Sequence, residues 1–241
     1  VEDGEEMVPR FAVREGYLLY GGPSVGNTFH GHAAFQVSIA ARGELTMLDA
    51  FGTRHRAGAL IVPPMVRHRM LPAPAVLTFF VEPHCAFADR LRRRCEQGIT
   101  PAPGMRDLSE ESIRPAGAHR SSELDARLVE AMNTLAHRRV SMPALAAQVG
   151  LSPQRLRALA RGQLGLPLAR WRIWQCLGRA AQALYEGQSP AEAAITGGFA
   201  DQAHFNRRMR EMMGLTPSAM LPVLRPSVAM GDVNRDRAGD R

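Results

Sequence analysis

Three histidines and a glutamine are spaced for ligand chemistry. His30 and His32 stand two residues apart in HGHAAFQVSIAARG (30–43), Gln36 follows, and His68 closes PPMVRH (63–68). Side chains at i and i+2 of a strand share a face, so the first two imidazoles point the same way. Together with His68 they can bind a transition metal, because neutral imidazole suits zinc, nickel, copper or iron. The same groups can instead line a pocket and hydrogen-bond a small polar effector, or satisfy one another in a cluster that takes no ligand. His84 and Cys85 are adjacent, but no third ligand is spaced to join them. Cys85, Cys95 and Cys176 form no C-x-x-C pair, which fits structural thiols in a reducing cytoplasm.

A second set of residues can do recognition chemistry. In GGFADQAHFNRRMREMMGLTP (197–217), a period of 3.6 from Asp201 puts Phe205, Met209, Met212 and Met213 on one side. Ala203, His204, Arg207 and Arg210 fall opposite. Asp201 sits at an N-cap position and Gly214 at the C′ position, with Pro217 beyond it. The segment therefore predicts a helix with a buried stripe and a cationic outer face. Such a face is either a solvated surface or a reader of base edges.

The elements that carry these groups follow from punctuation and period. Residues 10–82 read as short β-strands separated by Gly and Pro, among them 35–49 broken at Arg42-Gly43, 56–70 and 75–82. That spacing predicts a small β-barrel or sandwich. Residues 86–97 read as a helix with Phe87, Leu91 and Cys95 on one face. The Pro-, Gly- and Ser-rich stretch 98–121 reads as a linker, and the pattern from 122 to 221 is helical throughout. Residues 222–241 read as a disordered tail. The predicted parse is thus 1–97 for the β domain with its terminal helix, 98–121 for the linker, 122–221 for an all-α domain and 222–241 for the tail.

Charge divides the chain in the same place. There is no lysine, and the formal net charge is +7 with a predicted pI of about 10.5. Residues 121–225 carry 13 arginines against 7 acidic residues, whereas residues 1–120 carry 14 against 13. A basic half points to a polyanionic partner, usually nucleic acid. No apolar run is long enough to span a membrane, and the acidic start VEDGEEM is unlike a secretion signal. A cytoplasmic location is expected.

The helical half repeats itself. AAQVGLSPQRLRALARGQLGLP (146–167) aligns with AITGGFADQAHFNRRMREMMGLTP (194–217), each copy being a short helix, a glycine turn and a capped helix. That is the pattern of a helix-turn-helix. In the first copy Ser152 caps, Pro153 occupies the first turn, Leu156, Leu159 and Ala160 face inward, and Gln154, Arg157, Ala158 and Arg161 face outward. Between the copies lies a helix of about twenty residues, roughly 30 Å long. That length can set two recognition helices over successive major grooves of one duplex.

On LAAQVGLSPQRL, AAITGGFADQAHFNRRM and GLTP taken together, residues 122–221 resemble the DNA-binding domain of the AraC/XylS family of bacterial transcription regulators. The resemblance implies base contacts from Gln154, Arg157 and Ala158 and from Gln202, Ala203, His204, Asn206 and Arg207. Arg155, Arg161 and Arg210 complete the expected DNA-binding set. The aromatic often found inside each recognition helix is Ala160 in the first and Met209 in the second. The H-x-H-x3-Q-x6-G and P-x4-H patterns resemble the two cupin motifs, and this family commonly carries a cupin-like sensory domain. The metal-ligand positions of cupins would be His30, His32, Gln36 and His68, with Gln in place of the usual Glu and Met65 in place of the usual Gly.

The expected fold is therefore α+β and multidomain, with a cupin-like β-barrel followed by an all-α domain of two helix-turn-helix motifs joined by a long helix. The expected function is sequence-specific DNA binding in transcription regulation, as activator or repressor, with a small-molecule effector held by His30, His32, Gln36 and His68. A transition metal on His30, His32 and His68 is the cofactor to consider. Double-stranded DNA, a second copy of the chain and RNA polymerase are the expected partners. Helices near 86–97 and 122–137 are expected to join barrel, partner subunit and DNA domain. Competing readings are a metal-dependent cupin enzyme, disfavoured by the missing Glu, and an architectural DNA-binding protein, which needs no barrel.

Overall fold

The computed structural model describes residues 9–95 and 97–224. The N-terminal part has two antiparallel sheets. One holds six strands in the order β1 (Arg10–Arg14), β2 (Tyr17–Ser24), β8 (Ala73–Val81), β3 (Phe35–Ala40), β6 (Ala59–Val62), β9 (Thr100–Pro101). The other holds β5 (Arg54–Ala57), β4 (Leu45–Asp49) and β7 (His68–Met70). All six residues of β3 are buried, so this strand is covered on both faces.

Strand alternation sorts those faces by chemistry. Phe35, Val37 and Ile39 of β3 and Phe79 and Val81 of β8 turn to one side. There they pack on Phe87 and Leu91 of helix α1 (Ala86–Arg94) and on Ile113 of helix α2 (Glu110–Gly117). Gln36, Ser38 and Ala40 turn to the other side. Toward β4 and β7 that side is closed by Leu45, Met47 and Met70. Toward the C-terminal half it carries polar groups, Gln36, Ser38 and Thr78, linked in series by hydrogen bonds of 2.8 and 2.9 Å.

The stretch expected as a linker is folded. Within 98–121 lie β9, paired to β6, a short 3-10 turn at Pro103–Met105, and α2. Its Pro and Gly content hid a sparse apolar set, Ile99, Ala102, Met105 and Ile113, all buried. A capping box at Ser109 and Ser112 starts α2. The chain passes on to the helical half at Ser121 and Ser122, which donate to Asp89 of α1 at 2.6 and 3.1 Å. Helix α1 itself stops at Arg94, short of the expected 97.

The C-terminal part is helical: α3 (Ala126–His137), α4 (Met142–Gln148), α5 (Pro153–Leu159), α6 (Leu168–Tyr185), α7 (Pro190–Gly197), α8 (Gln202–Met213) and α9 (Pro217–Leu224). Leu128, Met132 and Leu135 of α3, with Leu124 before it, are buried in this half's own core. The α3 stripe is thus buried within the helical half. Of the expected tail, Pro222 to Leu224 end α9; residues 225–241 lie outside the described residues.

The two halves share one interface. Trp174 of α6 sits 5.7 Å from the His32 ring and 5.5 Å from Phe80 of β8, and Ala33 and Ala34 belong to the same core as the C-terminal helices. At the margin, Gln175 of α6 donates to Glu82, whose carboxylate is pushed up by burial to about 7 from an ordinary value of 4.5. Because the folded state holds this proton more tightly than the unfolded chain, the stabilisation is full below about pH 4.5. It is lost as pH rises through about 7. Glu82→Gln is therefore expected to stabilise the protein at pH 8 by on the order of 2 kcal/mol and to change it little at pH 5. Thermal unfolding at the two pH values measures this; equal shifts at both would contradict the assignment.

Candidate functional site

The two helix-turn-helix units are built alike. In the first, the Ser152 hydroxyl accepts from the Arg155 N–H and Pro153 opens α5; in the second, the Asp201 carboxylate accepts from the His204 N–H and opens α8. Gly150 and Gly198 turn the chain between the paired helices with φ of +67° and +87°, a region closed to most side chains. Gly165 and Gly214 close the second helices with φ of +71° and +68°. The first copy differs from its expected form in one respect. After Leu159 its last turn widens into a π-helical segment, Ala160–Leu164.

Burial follows the predicted phases. Leu156 and Ala160 are buried in the first unit, and Phe205, Met209 and Met212 in the second. Gln154, Arg155, Arg157, Ala158 and Arg161 are exposed, as are Gln202, Ala203, Arg207 and Arg210. Among the described residues, none of these five arginines is ion-paired. By contrast Arg208, outside the expected set, is tied to Glu211 at 2.9 Å and donates to His204 Nε2 at 3.3 Å. Glu211 also pairs with Arg170 of α6, which pins α8 to the connector.

Two expected contacts sit differently. His204 is half-buried, edge-on to Phe199 at 5.4 Å, because Phe199 from the turn covers the first turn of α8. Asn206 is half-buried as well, with its Oδ1 buried and without a partner among the described residues. Phasing from a single axis could not show that the turn folds over that flank.

The barrel histidines come together. His30, His32 and His68 each offer a ligand atom, and these atoms lie within 4.8 Å of one another. A bridge between His30 and His68 backbones joins the segment before β3 to β7. The turn before His68 holds Met65 in the left-handed region at φ of +64°, a conformation that side chains other than Gly adopt at a cost. Each Nδ1 lies 2.8–3.0 Å from a backbone carbonyl: Thr28 for His30, Ala34 for His32, Val66 for His68. Gln36 Oε1 lies 2.8 Å from His32 Nε2 and 3.0 Å from His68 Nε2. Burial lowers the affinity of all three rings for a second proton, to a pKa of about 3 for His30 and well below the ordinary value for His68. Burial therefore favours the neutral imidazole at all three positions.

His30 and Gln36 lie on the floor of a chamber between the two halves. Its walls are mostly apolar. Leu18, Val76 and Phe80 come from the sheet, Trp174 and Leu177 from α6, and Phe205, Met209 and Met213 from α8. The inner stripe of α8 is thus the wall of a cavity. Sequence phasing gave the stripe but not the cavity, because the cavity depends on how two domains dock.

Residues 145–221 match the helix-turn-helix domain family. The crystal structure of ToxT from Vibrio cholerae O395 is similar over 88% of this chain and 99% of that one, with a TM-score of 0.58 and 11% identity. Residues 145–221 are an AraC-type DNA-binding domain. The matched segment runs from within α4 into α9, and together with the sheet domain before it the chain shares the fold of ToxT. Unsaturated fatty acid bound ToxT from Vibrio cholerae strain SCE256 is similar at a TM-score of 0.57 and 11% identity, over 94% of this chain and 99% of that one. ToxT bound to (E)-4-(8-methylnaphthalen-1-yl)but-3-enoic acid gives 0.56 and 12%, over 86% and 98%. At these identities the likeness is one of fold. No curated relative matches the sequence. No helix among the described residues is long and apolar enough to cross a membrane.

Proposed function

We propose that this protein is a ligand-controlled transcription regulator of the AraC type whose effector is an amphipathic acid held in the chamber between sheet and helices. The carrying observation is that Phe205, Met209 and Met213 form both the back of α8 and the chamber wall. A ligand seated there touches the recognition helix directly. Its apolar body would lie among Leu18, Val76, Leu177 and Met209. The fatty-acid-bound state of ToxT, which shares the fold, supports an effector of this class.

On this reading, Gln154, Arg155, Arg157, Ala158 and Arg161 of the first unit and Gln202, Ala203, Arg207 and Arg210 of the second face the duplex. Arginine forks suit guanine O6 and N7, and the more distal arginines suit phosphates. The ligand acts by favouring one placement of α8 over another, so it must bind the two placements unequally.

Oleic acid is the probe to use. An operator is first recovered from a random duplex pool, and binding is titrated with and without the acid. The wild type is expected to change its affinity by about fivefold or more. Leu177→Trp, which fills the chamber, is expected to bind DNA much as the wild type does and to ignore the acid. A wild type indifferent to oleic acid and to aryl butenoic acids contradicts the proposal.

A further inference from the structure

We propose that the outer face of the sheet β5–β4–β7 is a second DNA-binding surface, where Arg54, Arg56, Arg67 and Arg69 take backbone phosphates of the duplex just beyond the stretch that α8 covers. The inference rests on the reading that α8 faces DNA, and it adds a further part to that interface. The face follows from register. Met47 pairs with His55 and Met70, and Leu48 with Arg54 and Arg69. Alternation turns Leu45, Met47 and Met70 into the core, where all three are buried. Thr46, Leu48, Arg54, Arg56 and Arg69 are thereby turned outward, and Arg67 lies two residues before Arg69 on the same side. Arg54, Arg56 and Arg67 are exposed and Arg69 is half-buried.

The charge on this face is unbalanced. Among the described residues, Arg56 alone of the four has an acidic partner, Glu44 at 2.7 Å. The Asp49 carboxylate is occupied within the hairpin, accepting from the Phe51 and Thr53 N–H groups at 2.9 Å. Residues 1–120 as a whole carry 14 arginines against 13 acidic residues, so this face is a local excess. Like charges held together repel one another, and a polyanion laid over them relieves the repulsion. Protection of an open edge accounts for arginines on β5. It does not account for Arg67 and Arg69, because segment 28–30 covers the side of β7 away from β4. There the His30 and His68 backbones exchange hydrogen bonds of 2.9 and 3.0 Å.

Segment 28–30 also joins the face to α8. Phe29 lies against Arg67 and Arg69, each guanidinium carbon 5.8 Å from the ring centroid, a contact that steadies both cations. Next to it, the Thr28 N–H and hydroxyl both donate to the Gly214 carbonyl at 3.0 Å. Gly214 is the residue that ends α8. The fit is close: a Cβ on Gly214 would lie 2.3 Å from the Thr28 carbonyl oxygen. Arg210, on the outer side of α8, is about one turn before Gly214. Across β4, Arg69 and Arg54 are two strand spacings apart, about 10 Å, or roughly the rise of three base pairs. Arginine forks match phosphate oxygens, and such contacts carry no sequence information. Duplex backbone is therefore the occupant that both the charge and the continuity with α8 fit.

The full chain is titrated with the selected operator at about 50 and about 200 mM salt, in a long duplex and in one trimmed on the α8 side to the bases whose identity matters. The wild type should bind the long duplex about tenfold more tightly than the trimmed one at the lower salt, a comparison that needs no variant. Arg54→Gln/Arg67→Gln should lower the salt slope by about two units, so that its affinity deficit narrows by about tenfold between the two salt concentrations. It should keep wild-type base discrimination and melt no lower than the wild type, since a repulsion is removed. Arg54→Lys/Arg67→Lys keeps the charge and should keep the wild-type slope. An unchanged slope in the glutamine variant, or a wild type indifferent to trimming, overturns the inference; a face that serves an acidic protein instead would give both results. Arg207→Ala, run alongside, tells two failures apart. Relaxed discrimination there with no effect of Arg54→Gln/Arg67→Gln overturns the sheet face alone, whereas no effect of either overturns the reading of α8 as well.

Discussion

Met209→Asp is expected to abolish DNA binding by unfolding the second helix-turn-helix. Met209 is 3% exposed, in the stripe that α8 turns toward the barrel and α6. A carboxylate there would face a mainly apolar chamber that no arginine lines. Burying an unpaired charge is among the few single changes that cost more than about 4 kcal/mol. Near-UV circular dichroism and a denaturant melt should show loss of tertiary packing in the C-terminal half. Met209→Leu, close in volume, should cost less than about 1.5 kcal/mol and bind normally. A folded Met209→Asp with wild-type affinity would mean that α8 is not seated as described.

Trp174→Ala is expected to cost about 3–5 kcal/mol, the range for deleting a buried aromatic. The indole is 2% exposed and stands at the joint of the molecule. It meets His32 and Phe80 of the sheet domain and forms part of the chamber wall from α6. Its loss opens the interface as well as the helical core, so the melt should split into two transitions as the halves decouple. The effector response should vanish with the wall. A single transition shifted by less than about 1 kcal/mol would show that Trp174 is not what joins the halves.

Much of this was legible in the sequence because the signals are local. Asp201, Gly214, Ser152 and Pro153 act on their own helix ends, and the caps appear where their types predict. The stripe of Phe205, Met209 and Met212 follows from the helical period alone. The histidines, thirty-odd residues apart, could be grouped because i, i+2 spacing fixes a strand face. What was not legible depends on docking. The 98–121 segment reads as a linker because its scattered apolar residues among Pro and Gly carry no period, yet Ile113 finds a place under the sheet. The half-burial of His204 by Phe199, the left-handed Met65 and the Thr28–Gly214 contact require knowledge of which elements meet. So does the chamber.

The central claim is that α8 has two faces, one walling the chamber and one reading DNA. The direct measurement is a binding titration of wild type, Arg207→Ala and Arg210→Ala against the selected operator and its single-base variants, at several salt concentrations. Arg207→Ala is expected to lose about 1–3 kcal/mol and to relax discrimination at one base pair. Arg210→Ala should weaken every sequence alike and reduce the salt slope by about one unit. If Arg207→Ala binds every sequence as the wild type does, the cationic side of α8 is a solvated surface and the account is wrong.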